Sequence, residues 1–141
     1  VAEAEQFELE LPLQPAYVVC GRLFAASLGR FYGCDEGTTD DLKIAVSEAA
    51  ANAIAAKSGG GPGPIRVVVS RDGSRLLFEI ENGGAAAMSD EADAGKAEHA
   101  STDELARILG IELVRSLFPD ASVKANAHGG HDLTFSVATP E

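Results

Sequence analysis

The chain has 141 residues, 45% of them hydrophobic and 6% aromatic, which is about one domain's worth of an ordinary globular composition. Eleven Lys and Arg against 22 Asp and Glu leave a formal net charge of -11. That field repels nucleic-acid phosphates and anionic lipid, so direct binding to nucleic acid or to a membrane is excluded. No apolar run approaches the roughly 20 residues that cross a bilayer. Residues 1–6 hold no apolar run of the signal-peptide kind. The expectation is therefore a cytoplasmic protein whose cysteines, Cys20 and Cys34, are reduced, with a disulfide between them as the alternative.

The stretch "QFELELP" alternates Phe7, Leu9 and Leu11 against Gln6, Glu8 and Glu10, which predicts a half-buried strand ended by Pro12. Between 16 and 32 the set Tyr17, Cys20, Phe24, Leu28 and Phe31 steps by three and four. This predicts a helix with that face inward. The glycine-containing stretch 33–37 breaks it. "TTDDLKIAVSEAAANAIAAK" opens on Thr and Asp, which suit a helix N-terminus, and sets Leu42, Val46, Ala49, Ala50 and Ala53 at helical spacing. "SGGGPGP" at 58–64 is a breaker.

Two alternating strands, "IRVVVSR" and "LLFEIEN", flank an Asp72-Gly73 hairpin turn. Ile65, Val67 and Val69 form one face of the first. Leu76, Phe78 and Ile80 form one face of the second, with Glu79 and Glu81 facing the other way. Residues 83–104 are small, acidic and without apolar periodicity, which predicts a long mobile loop whose stretch 86–103 is poorly ordered without ligand. "LARILGIELVRSLF" reads as a third helix despite Gly110 inside it. A last hairpin follows, "ASVKANA" and "DLTFSVA" around "HGGH", with Val123, Ala125, Leu133, Phe135 and Val137 inward.

The predicted order is β-α-α-β-β-loop-α-β-β, with one apolar and one polar face on each strand. That pattern fits an α+β, two-layer α/β sandwich: a mostly antiparallel mixed sheet with three helices on one face and water on the other. Without internal repeats or a change of composition, the whole of 1–141 reads as a single domain.

Glu48 and Asn52 lie one turn apart on a helix that is otherwise mostly alanine, leaving space above two polar groups. A ligand lying on that stripe is one reading; an exposed polar face is the other. Gly83-Gly84 after a strand either lets backbone N–H groups approach a ligand or simply ends the strand. Gly110 marks a helix start or a place where phosphate meets backbone N–H groups. His128 and His131 have an H-x-x-H spacing, but no Cys or carboxylate set is spaced to complete a metal site.

Taken in order, "SEAAANAI", "IENGGA", the long loop, "LGIELVRSL" and "GGHDLTF" resemble the N box, G1 box, lid, G2 box and closing strand of the GHKL-type, histidine kinase-like ATP-binding fold (the Bergerat fold). The size and the strand-helix start are most similar to bacterial anti-sigma factor serine kinases. The resemblance implies ATP and Mg²⁺ as ligands, a serine of an anti-anti-sigma antagonist as phosphoryl acceptor, a sigma factor as a second partner, and a possible homodimer. It implies that Glu48 is the catalytic base and that Asn52 holds Mg²⁺ against the phosphates. It further implies a nucleotide pocket bounded by Glu81, Gly83, Gly84, Ala85, Arg107, Gly110 and His131, with Glu81 where the family's Asp accepts the adenine amino group.

Several positions depart from the family pattern. Glu81 stands for Asp, Ala85 and Ile108 for glycines, and His131 for Thr. Steric intrusion of this kind costs on the order of 1–3 kcal/mol per clash, so weak nucleotide binding is the expectation. The alternative is a protein-binding regulator of the same fold without ATP turnover. An unrelated two-layer sandwich is the third reading.

Overall fold

The computed structural model describes residues 5–56, 64–82, 111–125 and 131–140. Its elements are β1 (Glu5–Leu11), a 3-10 turn (Pro15–Tyr17), α1 (Val18–Phe31), α2 (Glu36–Ala56), β2 (Ile65–Asp72), β3 (Arg75–Asn82), α3 (111–117), β4 (Ser122–Ala125) and β5 (His131–Ala138). The strands form one five-stranded sheet in the order β1-β2-β3-β5-β4. Every described pairing is antiparallel.

Strand alternation sorts the residues into two faces. Leu11, Ile65, Val67, Val69, Leu76, Phe78, Ile80, Leu133 and Phe135 enter the buried core, as the sequence predicts. Gly73, at φ +63°, makes the tight turn between β2 and β3. Phe135 stacks on Phe78 with centroids 5.1 Å apart and on Phe118, beyond α3, at 4.5 Å. The helices cover this face, and the other face carries Glu8, Arg66, Glu79, Glu81 and Thr134, all exposed or half-buried.

α2 starts two residues before the predicted "TT". Asp35 is its N-cap: the carboxylate accepts the Thr38 N–H at 2.7 Å, and the Asp35 carbonyl accepts the Thr39 N–H at 2.9 Å. Leu42, Val46, Ala49, Ala50 and Ala53 are buried along α2 as expected. In α1 the helix is correct but its inward side is not. Tyr17, Cys20 and Phe31 are exposed and Phe24 and Leu28 half-buried, while Gly21, Ala25, Ala26 and Gly29 are buried.

Steric room explains the rotation. A Cβ at Gly29 would sit 2.8 Å from Leu42 Cδ1, and one at Gly21 would sit 3.2 Å from Val46 Cγ1. α1 turns its smallest residues to α2 so that the two backbones can approach, and leaves its bulkier side chains at the margin. Both cysteines are free; Cys20 is exposed and Cys34 half-buried, where burial and then the Asp35 charge push its thiol pKa up. Among the described residues, no helix is long and apolar enough to cross a membrane.

Candidate functional site

α2 has three kinds of side. Thr39, Leu42, Val46, Ala49, Ala50 and Ala53 are buried, and Asp40, Ile44 and Ala51 are exposed. Between them runs a flank that holds Asp41, Ala45, Glu48 and Asn52, because these positions recur at three and four residues. Ala45 is fully buried, whereas Glu48 and Asn52 are half-buried. Neither side chain has a hydrogen bond or ion pair with another described residue.

A carboxylate and an amide one turn apart are thus withheld from most solvent and uncommitted among the described residues. The carboxylate can take a proton, and the amide oxygen is a hard, neutral donor suited to a cation such as Mg²⁺. The small side chain of Ala45 beside them leaves the flank low. α2 packs against both α1 and β3, which fixes this flank relative to the sheet.

The structure does not bring Glu81 to the helix-covered side of β3. Phe78 and Ile80 turn to the core, so Glu79 and Glu81 turn to the open face. There Arg66 Nη1 donates to Glu81 Oε1 at 2.8 Å, and Arg66 Nη2 and Nε donate to Glu8. The guanidinium therefore ties three neighbouring strands, and these two carboxylates raise its pKa further. Glu81 is half-buried and already paired, on the face away from α2. In this arrangement its carboxylate faces Arg66 and not the Glu48–Asn52 flank, so the pairing lends the expected adenine contact no support.

Arg66 was not singled out in the sequence, although the hairpin register that sets it opposite Glu81 follows from the Asp72-Gly73 turn. Gly83, Gly84, Ala85, Arg107, Ile108, Gly110 and the rest of the loop 83–104 lie outside the described residues. So do His128 and the side chain of His131, whose backbone begins β5. The described part of the candidate site is therefore the Glu48–Asn52 flank of α2.

Comparison with known proteins agrees with this arrangement. The histidine kinase-like ATPase domain family matches residues 11–137, from the last residue of β1 into β5. Serine-protein kinase RsbW of Bacillus pumilus (strain SAFR-032) is 31% identical over 127 residues, which cover 85% of this chain and 78% of that protein. The protein of the same name from Listeria monocytogenes serotype 4a (strain HCC23) is 30% identical over 124 residues, covering 84% of this chain and 79% of its own length. That from Listeria innocua serovar 6a matches to the same extent, 30% over 124 residues. An antiparallel sheet under three helices, the E-x-x-x-N flank of α2 and a match across nearly the whole chain lead to one conclusion: the chain belongs to the histidine kinase-like ATPase domain family and is homologous to the RsbW serine-protein kinases.

Proposed function

We propose that this protein is an ATP-dependent serine kinase that phosphorylates an antagonist protein and sequesters a sigma factor. One observation carries the reading: Glu48 and Asn52, half-buried and without a partner among the described residues, share one flank of α2 in a histidine kinase-like ATPase domain. Glu48 takes the proton of the acceptor serine as the serine oxygen bonds to the γ-phosphorus. The bond from that phosphorus to the β–γ bridging oxygen breaks, and ADP leaves. The amide oxygen of Asn52 fits Mg²⁺ by its donor chemistry. When bound, Mg²⁺ offsets the negative charge of the phosphates. Fixed one turn apart on a packed helix, Glu48 and Asn52 hold their separation without reorganising during the reaction.

A protein partner is supported by the outer side of α1. Val19, Leu23 and Phe31 are 46%, 59% and 75% exposed, and Tyr17 just before them is 40% exposed. Apolar side chains concentrated on one surface helix suit a protein interface, with the antagonist, the sigma factor or a second copy of the chain.

The test is a melting scan with Mg-ATP and Mg-ADP, followed by phosphoryl transfer to a serine-bearing antagonist. A nucleotide at 100 times its Kd stabilises by about 2.7 kcal/mol. Glu48→Gln is expected to remove transfer, by at least about a hundredfold, and to leave Mg-ATP binding in place. An unmoved melting temperature with either nucleotide would sink the kinase reading and favour the regulator without ATP turnover.

A further inference from the structure

Asp41 is the polar member of the α2 flank that phosphoryl transfer, as drawn above, leaves without a task. Seven residues separate it from Glu48 and eleven from Asn52, close to two and three whole turns, so the three polar groups stand in one row. The fully buried Ala45 lies between Asp41 and Glu48. Asp41 is half-buried and has no hydrogen bond or ion pair with another described residue. Its neighbour Asp40 differs on both counts: it is exposed, and it pairs with Lys43 Nζ at 3.2 Å. Helix stability does not account for Asp41. Asp35 caps α2 and Glu36 already sits in its first turn. Position 41 lies in the next turn, where the favourable effect of a helix N-terminus on a carboxylate has largely fallen off. Aspartate is also among the poorer helix formers, and drawing a carboxylate out of water without a partner costs stability. A carboxylate so placed is suited to an incoming cation.

Resting on the kinase reading above, we propose that Asp41 selects the acceptor, pairing with a Lys or Arg that the acceptor segment carries about 10 Å from its serine. The helix sets that distance, since seven residues rise by about 10 Å between Asp41 and Glu48. Three residues of extended chain span about the same length. With the serine hydroxyl at Glu48 and the phosphates at Asn52, the remainder of the acceptor is left the other end of the row, where Asp41 stands. Asp41 and Asn52 are about 16 Å apart along the helix axis. At that separation Asp41 scarcely opposes the phosphates in physiological salt, where the screening length is about 8 Å. The net charge of -11 draws a basic segment toward the surface before this contact forms.

Phosphoryl transfer from Mg-ATP to short alanine-rich peptides tests this, each with one serine and, three residues to one side of it or the other, Arg, Gln or Glu. With the unmodified chain, kcat/KM for the better Arg peptide is expected to exceed that for its Gln counterpart by about tenfold or more, through KM. Asp41→Asn should remove the difference without raising the KM for Mg-ATP or lowering the melting temperature. Asp41→Lys should reverse it and favour the Glu peptide, an outcome that a merely structural role does not produce. Asp40→Asn should leave the Arg-to-Gln ratio unchanged. Equal transfer to the Arg and Gln peptides, a preference for Arg that survives Asp41→Asn or Asp41→Lys, or no transfer to any peptide by protein that Mg-ATP stabilises overturns the inference and leaves the nucleotide site standing. An unmoved melting temperature with Mg-ATP overturns the kinase reading itself.

Discussion

Asp35 sits at the junction of α1 and α2, and its carboxylate satisfies an N–H that the first turn of α2 leaves without an intrahelical partner. The bonds from Thr38 hold its pKa below the usual carboxylate value. A lowered folded pKa means that the stabilisation is present above the unfolded value of about 3.9 and is lost as pH falls through the folded value. Asp35→Ala should therefore lower the melting temperature at neutral pH, and the gap to the parent should close below about pH 3.9. A calorimetric pH series checks it. Ala85 is a different case, because its effect is expected on ligand rather than on fold. If its Cβ opposes a backbone approach that the family makes with glycine, Ala85→Gly should raise Mg-ATP affinity about tenfold or more, the equivalent of a 1–3 kcal/mol clash, with little change in the melting temperature of the apo protein. Titration calorimetry reads both values.

The α1–α2 pair shows how an element's environment outweighs its own apolar pattern. A Cβ at Gly29 would come within 2.8 Å of Leu42 Cδ1, and Leu42 is fully buried. Gly29→Val forces overpacking there and should destabilise by about 1–3 kcal/mol. Leu23 lies on the same helix but is 59% exposed, so Leu23→Ser should change stability by no more than about 0.5 kcal/mol. Denaturant unfolding of the two variants separates a packing role from a surface role. The C-terminal end of α1 is also tied back to the sheet. Tyr32 donates its hydroxyl to Glu5 at 2.6 Å, and the Arg71 guanidinium lies 4.7 Å over its ring.

Charge acts on the molecule as a whole. The net charge of -11 repels itself, while ion pairs such as Arg66–Glu8 and Arg30–Glu36 work in the opposite sense at the surface. Exposed pairs contribute little, and the excess of acids is large. The melting temperature should therefore rise as ionic strength goes from about 0.01 to 0.15 M, where the screening length falls from about 30 to 8 Å. A fall over that range would mean that the surface pairs outweigh the repulsion.

The sequence by itself determined the elements and the Glu48–Asn52 flank, because both depend on local periodicity. The strand faces of β1, β2, β3 and β5, the buried stripe of α2 and the Glu48–Asn52 spacing can all be read within about two turns of chain. Even the orientation of Glu81 was legible, since alternation sets it beside Glu79. Tertiary structure alone decided the rest. The β3–β5 pairing joins strands separated by more than forty residues, and no local pattern encodes it. The inward side of α1 depended on the Leu42 and Val46 side chains across from it, so closeness of approach prevailed over the larger apolar stripe. The partner that holds Glu81 is Arg66, fifteen residues away, and only the folded hairpin brings their charges within 2.8 Å.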